Sequence, residues 1–214
     1  MKQLLGKSYI MKLIWIFIIG SLMGYAVETG YYLIKHGVFL SKRGLLYGHF
    51  KPIYGFGSVL ITLFLSFLIN KSKLKIFIYG AFFGGIFEYI CSLVLEYVFH
   101  TKMWNYSSKY FAINGRVYLL YLPMWGLIAL FWLKVVLPYF NKLFDMLHQF
   151  TLKIITVLMT IFLVFDFTIS IVAVQRMKDR AHNIPAKTAY QKFLDKHYSD
   201  EYILKRIPYL KVVN

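Results

Sequence analysis

Long apolar stretches alternate with short polar connections along most of the chain. Five stretches reach or approach the roughly 20 predominantly apolar residues that a helix needs to cross a bilayer. They cover residues 13–34, 53–69, 76–99, 117–137 and 154–174. The connections between them are too short to hold a further soluble domain. The pattern therefore predicts an all-α integral membrane protein with five transmembrane helices.

The first two stretches resemble the next two when the sequence is shifted by 60 residues. Seven residues are identical between positions 20–42 and 80–102, where this composition would match by chance at about two. The identical residues are Gly20, Gly24, Glu28, Leu33, Val38, Phe39 and Lys42, which align with Gly80, Gly84, Glu88, Leu93, Val98, Phe99 and Lys102. After a gap, residues 52–55 align with residues 123–126. The alignment predicts a duplicated two-helix unit, and two spans per unit make the repeats parallel.

This repeat divides the chain into three parts. Residues 1–140 form the predicted transmembrane core, with repeat A at about 13–69 and repeat B at about 74–137. Residues 141–174 carry the fifth span, and residues 175–214 form a basic tail for which we expect a surface-lying amphipathic helix. Pro185 and Ser199 are the expected helix starts within the tail.

Both repeats contain the pattern G-x-x-x-G-x-x-x-E, which places two glycines and a carboxylate on one face of a helix. Small residues let helices approach closely in lipid, so Glu28 and Glu88 are expected to face protein. A charged group inside a bilayer costs several kcal/mol and persists when it is paired, protonated or in contact with water. These glutamates therefore form either a functional polar site or a structural polar contact, and the same alternatives apply to Asp166 in the last stretch.

An arginine stands beside a glycine in the loop that follows each glutamate. Arg43 and Arg116 could bind a carboxylate or a phosphate through paired donors, or they could anchor the loops at lipid headgroups. We predict that the two arginines and two glutamates form one charge-balanced network. Three glycines and a proline within residues 47–57 predict irregular backbone, which survives at the membrane boundary where it lines a cavity or is buried.

The charge balance indicates which partners suit the chain. There are 25 Lys and Arg against 9 Asp and Glu, a formal net charge of +16, in a chain that is 59% hydrophobic and 16% charged. This composition excludes an ordinary soluble domain. Most of the positive charge lies near apolar stretches, which favours anionic lipid headgroups over nucleic acid. The distribution of Lys and Arg between the two sides of the membrane predicts that the protein lies in the cell membrane with its C-terminal tail in the cytoplasm.

Motifs for several kinds of chemistry are missing from the sequence. The only Gly-Lys-Ser, at residues 6–8, lacks the remainder of a phosphate-binding loop, and neither H-E-x-x-H nor G-x-S-x-G occurs. The six histidines show no metal-ligand spacing, and Cys91 has no partner cysteine. The sequence thus predicts no bound cofactor and no metal, and it leaves catalytic residues unknown.

Several short motifs follow one another between about residues 15 and 130. They comprise Glu28, R-G-L-L-Y-G at residues 43–48, P-I-Y-G-F-G at 52–57, E-Y-I-C-S at 88–92 with Glu96, W-N-Y-S at 104–107, N-G-R at 114–116 and W-G at 125–126. In this order they resemble the CmpB-like, or type IV, ABC-transporter permease family of multi-span bacterial membrane proteins. The chain departs from the family pattern at His49, where the family has proline, and at Asn105, where it has aspartate.

The resemblance implies membrane transport of an unknown solute, driven by a separate ATPase subunit or by protons on the glutamates. It implies a substrate-binding or polar network made of Glu28, Arg43, Gly48, Tyr54, Glu88, Glu96, Trp104, Asn105, Tyr106, Asn114, Arg116 and Trp125. Two other hypotheses remain open from the residues themselves: a membrane-embedded enzyme acting on a lipid or phosphorylated substrate, and a structural membrane protein. Homo-oligomer formation is also left open.

Overall fold

The computed structural model of the chain describes residues 9–212. Lys2 and the Gly-Lys-Ser sequence at residues 6–8 lie outside this range. Eight α-helices and four two-residue strands follow one another in the described part of the chain. The helices are α1 Tyr9–His36, α2 Pro52–Leu65, α3 Lys73–Tyr97, α4 Leu122–Phe131, α5 Leu137–Met146, α6 Gln149–Ala181, α7 Ala189–His197 and α8 Asp200–Arg206; the strands are β1 Thr101–Lys102, β2 Ala112–Ile113, β3 Val117–Tyr118 and β4 Lys211–Val212.

The described chain is 72% helical, which confirms the predicted all-α class. Four helical segments are long and apolar enough to cross a membrane: Tyr9–His36, Lys73–Tyr97, Leu119–Met146 and Gln149–Ala181. The second predicted span is a shorter apolar helix, which covers Pro52–Leu68 when its terminal 3₁₀ turn is included. The structure thus supports a membrane protein with four long apolar helices, and the count of five spans stays a prediction.

Helices α1 and α2 pack closely because glycines of each face the other. A Cβ added at Gly20 would lie 2.3 Å from the Ser58 hydroxyl, and one added at Gly24 would lie 2.2 Å from the Tyr54 ring. Gly55 of α2 meets the ring of Phe17 in the same way. We call α1 and α2 the first hairpin.

Helices α3 and α4, the second hairpin, make contacts of the same kind. A Cβ at Gly80 would lie 2.4 Å from the Ala129 side chain, and one at Gly84 would lie 2.4 Å from Trp125. Gly126 of α4 meets the ring of Phe77. The three close approaches of the first hairpin therefore have counterparts at aligned positions in the second.

The fourth apolar stretch differs from its predicted bounds of 117–137. Its first residues form β3, which pairs antiparallel with β2, and α4 begins only at Leu122, with Pro123 in its first turn. A π-helical turn, Trp132–Val136, then joins α4 to α5. Pro138 lacks an N–H and its ring crowds the preceding turn, and the wider turn accommodates it without ending the helix. Apolar helix thus continues to Met146 rather than to residue 137.

The largest buried cluster joins the two hairpins at the end opposite the glutamates. It combines residues of α1 to α6, among them Ile16, Leu65, Ile76, Ala129 and Phe144. Much of the outer surface of the long helices is apolar and exposed; on α6 it includes Val157, Leu158, Ile161, Val164 and Phe165. Such a surface suits contact with lipid rather than with water.

The C-terminal tail forms two short helices that fold back on α6. Buried residues of α7, α8 and the segment after them pack against α6 and against Leu46; they are Leu194, Tyr198, Ile203, Ile207 and Leu210. Ser199 caps α8 as expected, whereas α7 is capped by Thr188 in a capping box. Strand β4 finally pairs antiparallel with β1, in the loop after α3.

Candidate functional site

Glu28 lies in the second half of α1 and faces the first turn of α2. Its carboxylate forms an ion pair with Lys51, the residue that precedes α2, and accepts a hydrogen bond from the Tyr54 hydroxyl. The Tyr54 ring rests on Gly24, one helical turn before Glu28. The close approach that glycine allows therefore brings the phenol to the carboxylate.

Glu88 has a corresponding position in α3, but its partners carry no charge. The Trp125 indole Nε1 donates a hydrogen bond of 2.9 Å to one carboxylate oxygen, and the Tyr106 hydroxyl donates one of 3.2 Å to the other. The Trp125 ring rests on Gly84, as Tyr54 rests on Gly24. Only 6% of Glu88 is exposed, and no Lys or Arg among residues 9–212 forms an ion pair with it.

The two glutamate sites meet between the hairpins. The rings of Tyr54 and Trp125 stack with centroids 6.3 Å apart, and the Phe87 ring meets Trp125 edge-on at 6.1 Å. Tyr54 and Tyr106 each lie within electrostatic range of both carboxylates. This is a single polar group of side chains, and we call it the inter-hairpin cluster: Glu28, Lys51, Tyr54, Glu88, Tyr106 and Trp125.

Tyr106 belongs to the loop between β1 and β2, and its environment keeps its hydroxyl protonated. Burial raises the pKa of Tyr106, and the nearby charges of Glu88 and Glu28 raise it further. Its hydroxyl thus remains a hydrogen-bond donor to Glu88 at physiological pH. Tyr118 and Tyr121 pack around the ring and hold it in place.

Arg116 pairs with Glu96 rather than with either glutamate of the inter-hairpin cluster. Its guanidinium lies 2.6 Å from the Glu96 carboxylate and donates to the Ser92 hydroxyl, while Lys102 lies 2.8 Å from the same carboxylate. The Trp104 indole donates to the Arg116 carbonyl at 2.9 Å. Glu96, Trp104 and Arg116 thus form one group at the end of α3.

Asn114 and Asn105 shape the same loop. The Asn114 amide donates to the Tyr89 hydroxyl at 2.9 Å, and the Asn105 side-chain oxygen accepts from the backbone and hydroxyl of Ser107. Gly115 has a φ of +67° and packs against Asn105 and Ser107. Glycine is required there because a side chain would be strained in this conformation and would also collide.

Arg43 lies in the loop between α1 and α2, away from Glu28. Its guanidinium contacts the His49 ring nitrogen Nε2 at 2.7 Å, the Ser41 hydroxyl at 3.1 Å and the Tyr47 carbonyl at 3.4 Å. The predicted single network of two arginines and two glutamates thus has no direct carboxylate–guanidinium contact at Glu28 or Glu88 within residues 9–212.

Gly48 and Asp166 show how the first loop is held. The fully buried Asp166 of α6 accepts hydrogen bonds from the backbone amides of Tyr47 and Gly48, at 3.0 and 2.7 Å. The Ser170 hydroxyl donates to the same carboxylate and accepts from the Leu46 amide. The acid of α6 therefore satisfies backbone amides of an irregular loop, which is the structural alternative considered for it.

The sequence did not identify Lys51 as the partner of Glu28, nor the hydrogen bonds that Asp166 accepts from the first loop. Lys51 stands directly before Pro52 at the start of α2, and the alignment of residues 52–55 with 123–126 could have drawn attention to it. No local signal connects Asp166 with Gly48, because 118 positions separate them.

An apolar cavity of about 110 Å³ opens between the hairpins beside the inter-hairpin cluster. Its lining includes Gly20, Gly24, Tyr54, Gly57, Trp125 and Trp132. Tyr54 and Trp125 line this cavity and also bond the two glutamates, so the ring pair borders both an apolar space and two carboxylates. Within residues 9–212, no group of three or more His, Cys, Asp or Glu could hold a metal ion.

A family model described as "Putative ABC-transporter type IV" matches residues 15–171. The chain belongs to this family. The match includes nearly all of the first hairpin, the whole second hairpin and most of α6, and it covers every residue of the inter-hairpin cluster. Neither curated proteins nor solved structures give a match. The tail helices α7 and α8 lie outside the part of the chain that defines membership of the type IV family.

Proposed function

We propose that the chain is the membrane-spanning permease component of a transporter and that the inter-hairpin cluster contacts the solute or a coupled proton. Membership of the ABC-transporter type IV family and the four long apolar helices support membrane transport in general. The role of the cluster rests on Glu88, and the solute is unidentified.

Glu88 is the observation that carries the proposal. A buried carboxylate is costly unless its charge is balanced, and its partners Trp125 and Tyr106 supply only dipoles. A proton or a positively charged group of a solute would supply the missing balance. Glu28, already paired with Lys51, does not have this need.

The further parts of the proposal concern architecture. We propose that α2 is the fifth span and that the two hairpins are parallel copies of one unit, with the C-terminal tail in the cytoplasm. The matched glycine contacts and the matched hydrogen bonds, from Tyr54 to Glu28 and from Trp125 to Glu88, support the duplication. Parallel repeats commonly place their polar site at the interface between the copies.

Energy would come from a separate ATPase subunit or from protons. We propose the ATPase because the family is described as an ABC-transporter family. A tagged chain is purified in mild detergent after cross-linking in the membrane, and its partners are identified by mass spectrometry. We expect a nucleotide-binding subunit in fixed stoichiometry, and the complex should hydrolyse ATP.

The second arm of the experiment tests the cluster. In a cell that lacks the native chain, the wild-type chain should reverse the deletion phenotype and the Glu88→Gln variant should not. Expression of the variant and its co-purification with the ATPase should be unchanged. Glu201 is an exposed acid of α8 outside the family match, and Glu201→Gln is the matched control, which should behave as wild type. Wild-type behaviour of Glu88→Gln would remove the cluster from the proposal.

The alternatives predict different results in the same experiment. A chain that purifies without an ATPase, and whose deletion strain accumulates one lipid, would favour a membrane-embedded enzyme. A chain that purifies without an ATPase and moves no solute from a broad panel in proteoliposomes under an ion gradient would contradict transport.

A further inference from the structure

Two arginines from distant parts of the sequence approach one stretch of the loop between α1 and α2. Arg43 donates to the Tyr47 carbonyl at 3.4 Å, and Arg206 of α8 donates to the preceding carbonyl, that of Leu46, also at 3.4 Å. Consecutive peptide groups are less than 4 Å apart along the chain. The two guanidinium groups therefore lie beside the same dipeptide.

Neither guanidinium has a carboxylate partner in the described part of the chain. Arg43 binds Ser41, Tyr47 and His49, whereas Arg206 binds Leu46 and lies over the Tyr202 ring. By contrast, Arg116, Arg176 and Arg180 all have carboxylate partners. Two unneutralised guanidinium groups beside one dipeptide repel each other, and an anion that contacts both would remove the repulsion.

His49 adds a third group to this position. Its Nε2 lies 2.7 Å from an Arg43 nitrogen that can only donate, so Nε2 is the acceptor and the ring is neutral. Partial desolvation lowers the pKa of His49, and the positive charges of Arg43 and Arg206 lower it further. Tyr25 of α1 packs edge-on against the ring at 5.0 Å, so the groups facing His49 come from α1, the loop and α8.

We propose that Arg43, His49 and Arg206 form a binding site for a phosphate-type anion. Guanidinium is the side-chain group best matched to phosphate, because its planar donors bind two oxygens at once. His49 is exposed and Arg43 is partly exposed, so a ligand can reach them from outside the protein. The ligand is either the headgroup of a phospholipid or a free phosphorylated solute.

This site goes beyond the proposed function and does not depend on it. Arg43 and His49 lie within the family match, whereas Arg206 belongs to the tail outside it. The tail therefore completes the site on a loop that the family shares. The inter-hairpin cluster contributes no residue to it.

Binding of the anion should take up a proton. A bound phosphate counteracts the charges of Arg43 and Arg206, so the pKa of His49 rises on binding. Affinity should then increase as the pH falls through the range in which bound His49 becomes protonated. A His49→Gln variant should retain binding but lose this part of the pH dependence.

The experiment uses two probes to distinguish the two sources of phosphate. In the first arm, the full chain in maltoside micelles, which contain no phosphate, is titrated with inorganic phosphate by isothermal calorimetry at constant ionic strength. In the second arm, the chain is reconstituted in vesicles of phosphatidylglycerol and phosphatidylcholine, extracted, and analysed for retained phosphatidylglycerol by native mass spectrometry.

Arg43→Gln and Arg206→Gln are the test variants, and Lys205→Gln is the matched control. Lys205 neighbours Arg206 in sequence, is exposed, and loses the same charge. We expect each arginine variant to lose affinity or retention by about tenfold and the control by less than about twofold. If the arginine variants lose affinity for inorganic phosphate in the first arm, the ligand is a free phosphate. If they lose only the retained phosphatidylglycerol of the second arm, the ligand is a lipid headgroup.

Three results would overturn the proposal. They are the absence of binding in both arms, equal losses in Lys205→Gln and Arg206→Gln, and binding unaffected by either arginine variant. Arg43→Lys and Arg206→Lys retain the charge but not the planar donors, and each should give an intermediate loss. They test the site even if one glutamine variant fails to fold, which size-exclusion chromatography would reveal.

Discussion

Glu28 and Glu88 occupy aligned positions but have different electrostatic surroundings. Both accept a hydrogen bond from an aromatic residue that rests on a glycine one turn earlier. Glu28 additionally has the charge of Lys51, whereas Glu88 has only the dipoles of an indole and a phenol. The same sequence pattern therefore produces a compensated acid in one hairpin and an uncompensated acid in the other.

The first prediction concerns the ion pair of Glu28. Glu28→Gln should lower the free energy of unfolding because it leaves the largely buried Lys51 ammonium without its partner. Lys51→Gln should do the same, and the double variant should cost less than the sum of the singles by about 1–2 kcal/mol, a value reduced for partial exposure. Unfolding in detergent, followed by circular dichroism, measures all four proteins.

The control is a second double-mutant cycle, in which Arg43→Gln takes the place of Lys51→Gln. Arg43 contacts His49 and not Glu28, so Glu28→Gln and Arg43→Gln should be additive within about 0.5 kcal/mol. Coupling of Glu28 to Arg43 rather than to Lys51 would contradict the structure and would favour the arginine–glutamate network expected from the sequence.

The sequence could identify the glutamates at this scale but not their partners. Glu28 and Glu88 are conspicuous because carboxylates are rare in apolar stretches. The partner of each glutamate depends on where the following helix begins along the membrane-spanning direction. Lys51 reaches Glu28 only because α2 begins directly after it, at Pro52. Arg43 is a residue of the same loop, and nothing in its local sequence separates it from Lys51 as the candidate.

At the scale of elements, glycine spacing determines how closely the helices of each hairpin pack. Gly20 and Gly24 face α2, whereas Gly30 on the same helix has no atom within 4 Å of an added Cβ. The four-residue spacing of Gly20 and Gly24 predicts that both glycines lie on the packed face of α1, because residues four apart lie on one side of a helix. The contacts of both glycines with α2 agree with this prediction. It could not show that the partner side chain at the second glycine would be Tyr54.

The second prediction uses these glycines. Gly24→Ala should destabilise the protein by about 1–3 kcal/mol, because the methyl group would lie 2.2 Å from the Tyr54 ring and would displace it from Glu28. Gly30→Ala is the control on the same helix and should be neutral or stabilising. Thermal unfolding in detergent compares the two, and equal effects would show that the Tyr54 contact is unimportant.

The start of α4 illustrates what hydropathy cannot locate. Residues 117–121 are apolar enough to continue a span, yet Val117 and Tyr118 pair with the preceding strand. Pro123 suits the first turn of a helix because its missing N–H has no partner to lose there. Hydropathy records only whether a residue is apolar, so it places the helix start too early.

At the scale of the whole molecule, the tail connects the loops of the two hairpins. Tyr198 bonds Tyr47 of the first loop through their hydroxyls, and β4 pairs with β1 in the second loop. Arg176 and Arg180 of α6 hold the tail through Asp195 and Asp200. We call these four charged residues the tail clamp.

The tail fold could not be derived from its sequence alone. Its basic charge and its expected helix starts, Pro185 and Ser199, predict a helix on the membrane surface. Its acids are instead used internally, because Asp195 accepts from both Arg176 and Arg180. Such pairing joins residues 15 to 19 positions apart, across the turn between α6 and α7, and depends on how that turn directs the chain.

The tail clamp should persist over a wide pH range. Hydrogen bonds from Arg176, together with those from Arg180 and both positive charges, lower the pKa of Asp195 from 3.8 to about 2. A carboxyl with a lowered pKa contributes stability above its ordinary pKa, and this contribution is lost as the pH falls through the lowered value. Attachment of the tail should therefore be constant from pH 5 to 8 and weaken between about pH 4 and 2.

The third prediction tests whether the tail clamp stabilises both loops. Asp195→Asn should raise the rate of amide exchange in α7 and α8 by about tenfold or more, because the largely buried Arg176 loses the closer of its two carboxylate partners. Since the tail contacts both loops, exchange should also rise at residues 44–48 and 101–102. Hydrogen exchange with mass spectrometry measures each segment, and Glu201→Gln, an exposed acid of α8, is the control. Faster exchange confined to the tail would show that the loops hold their positions without it.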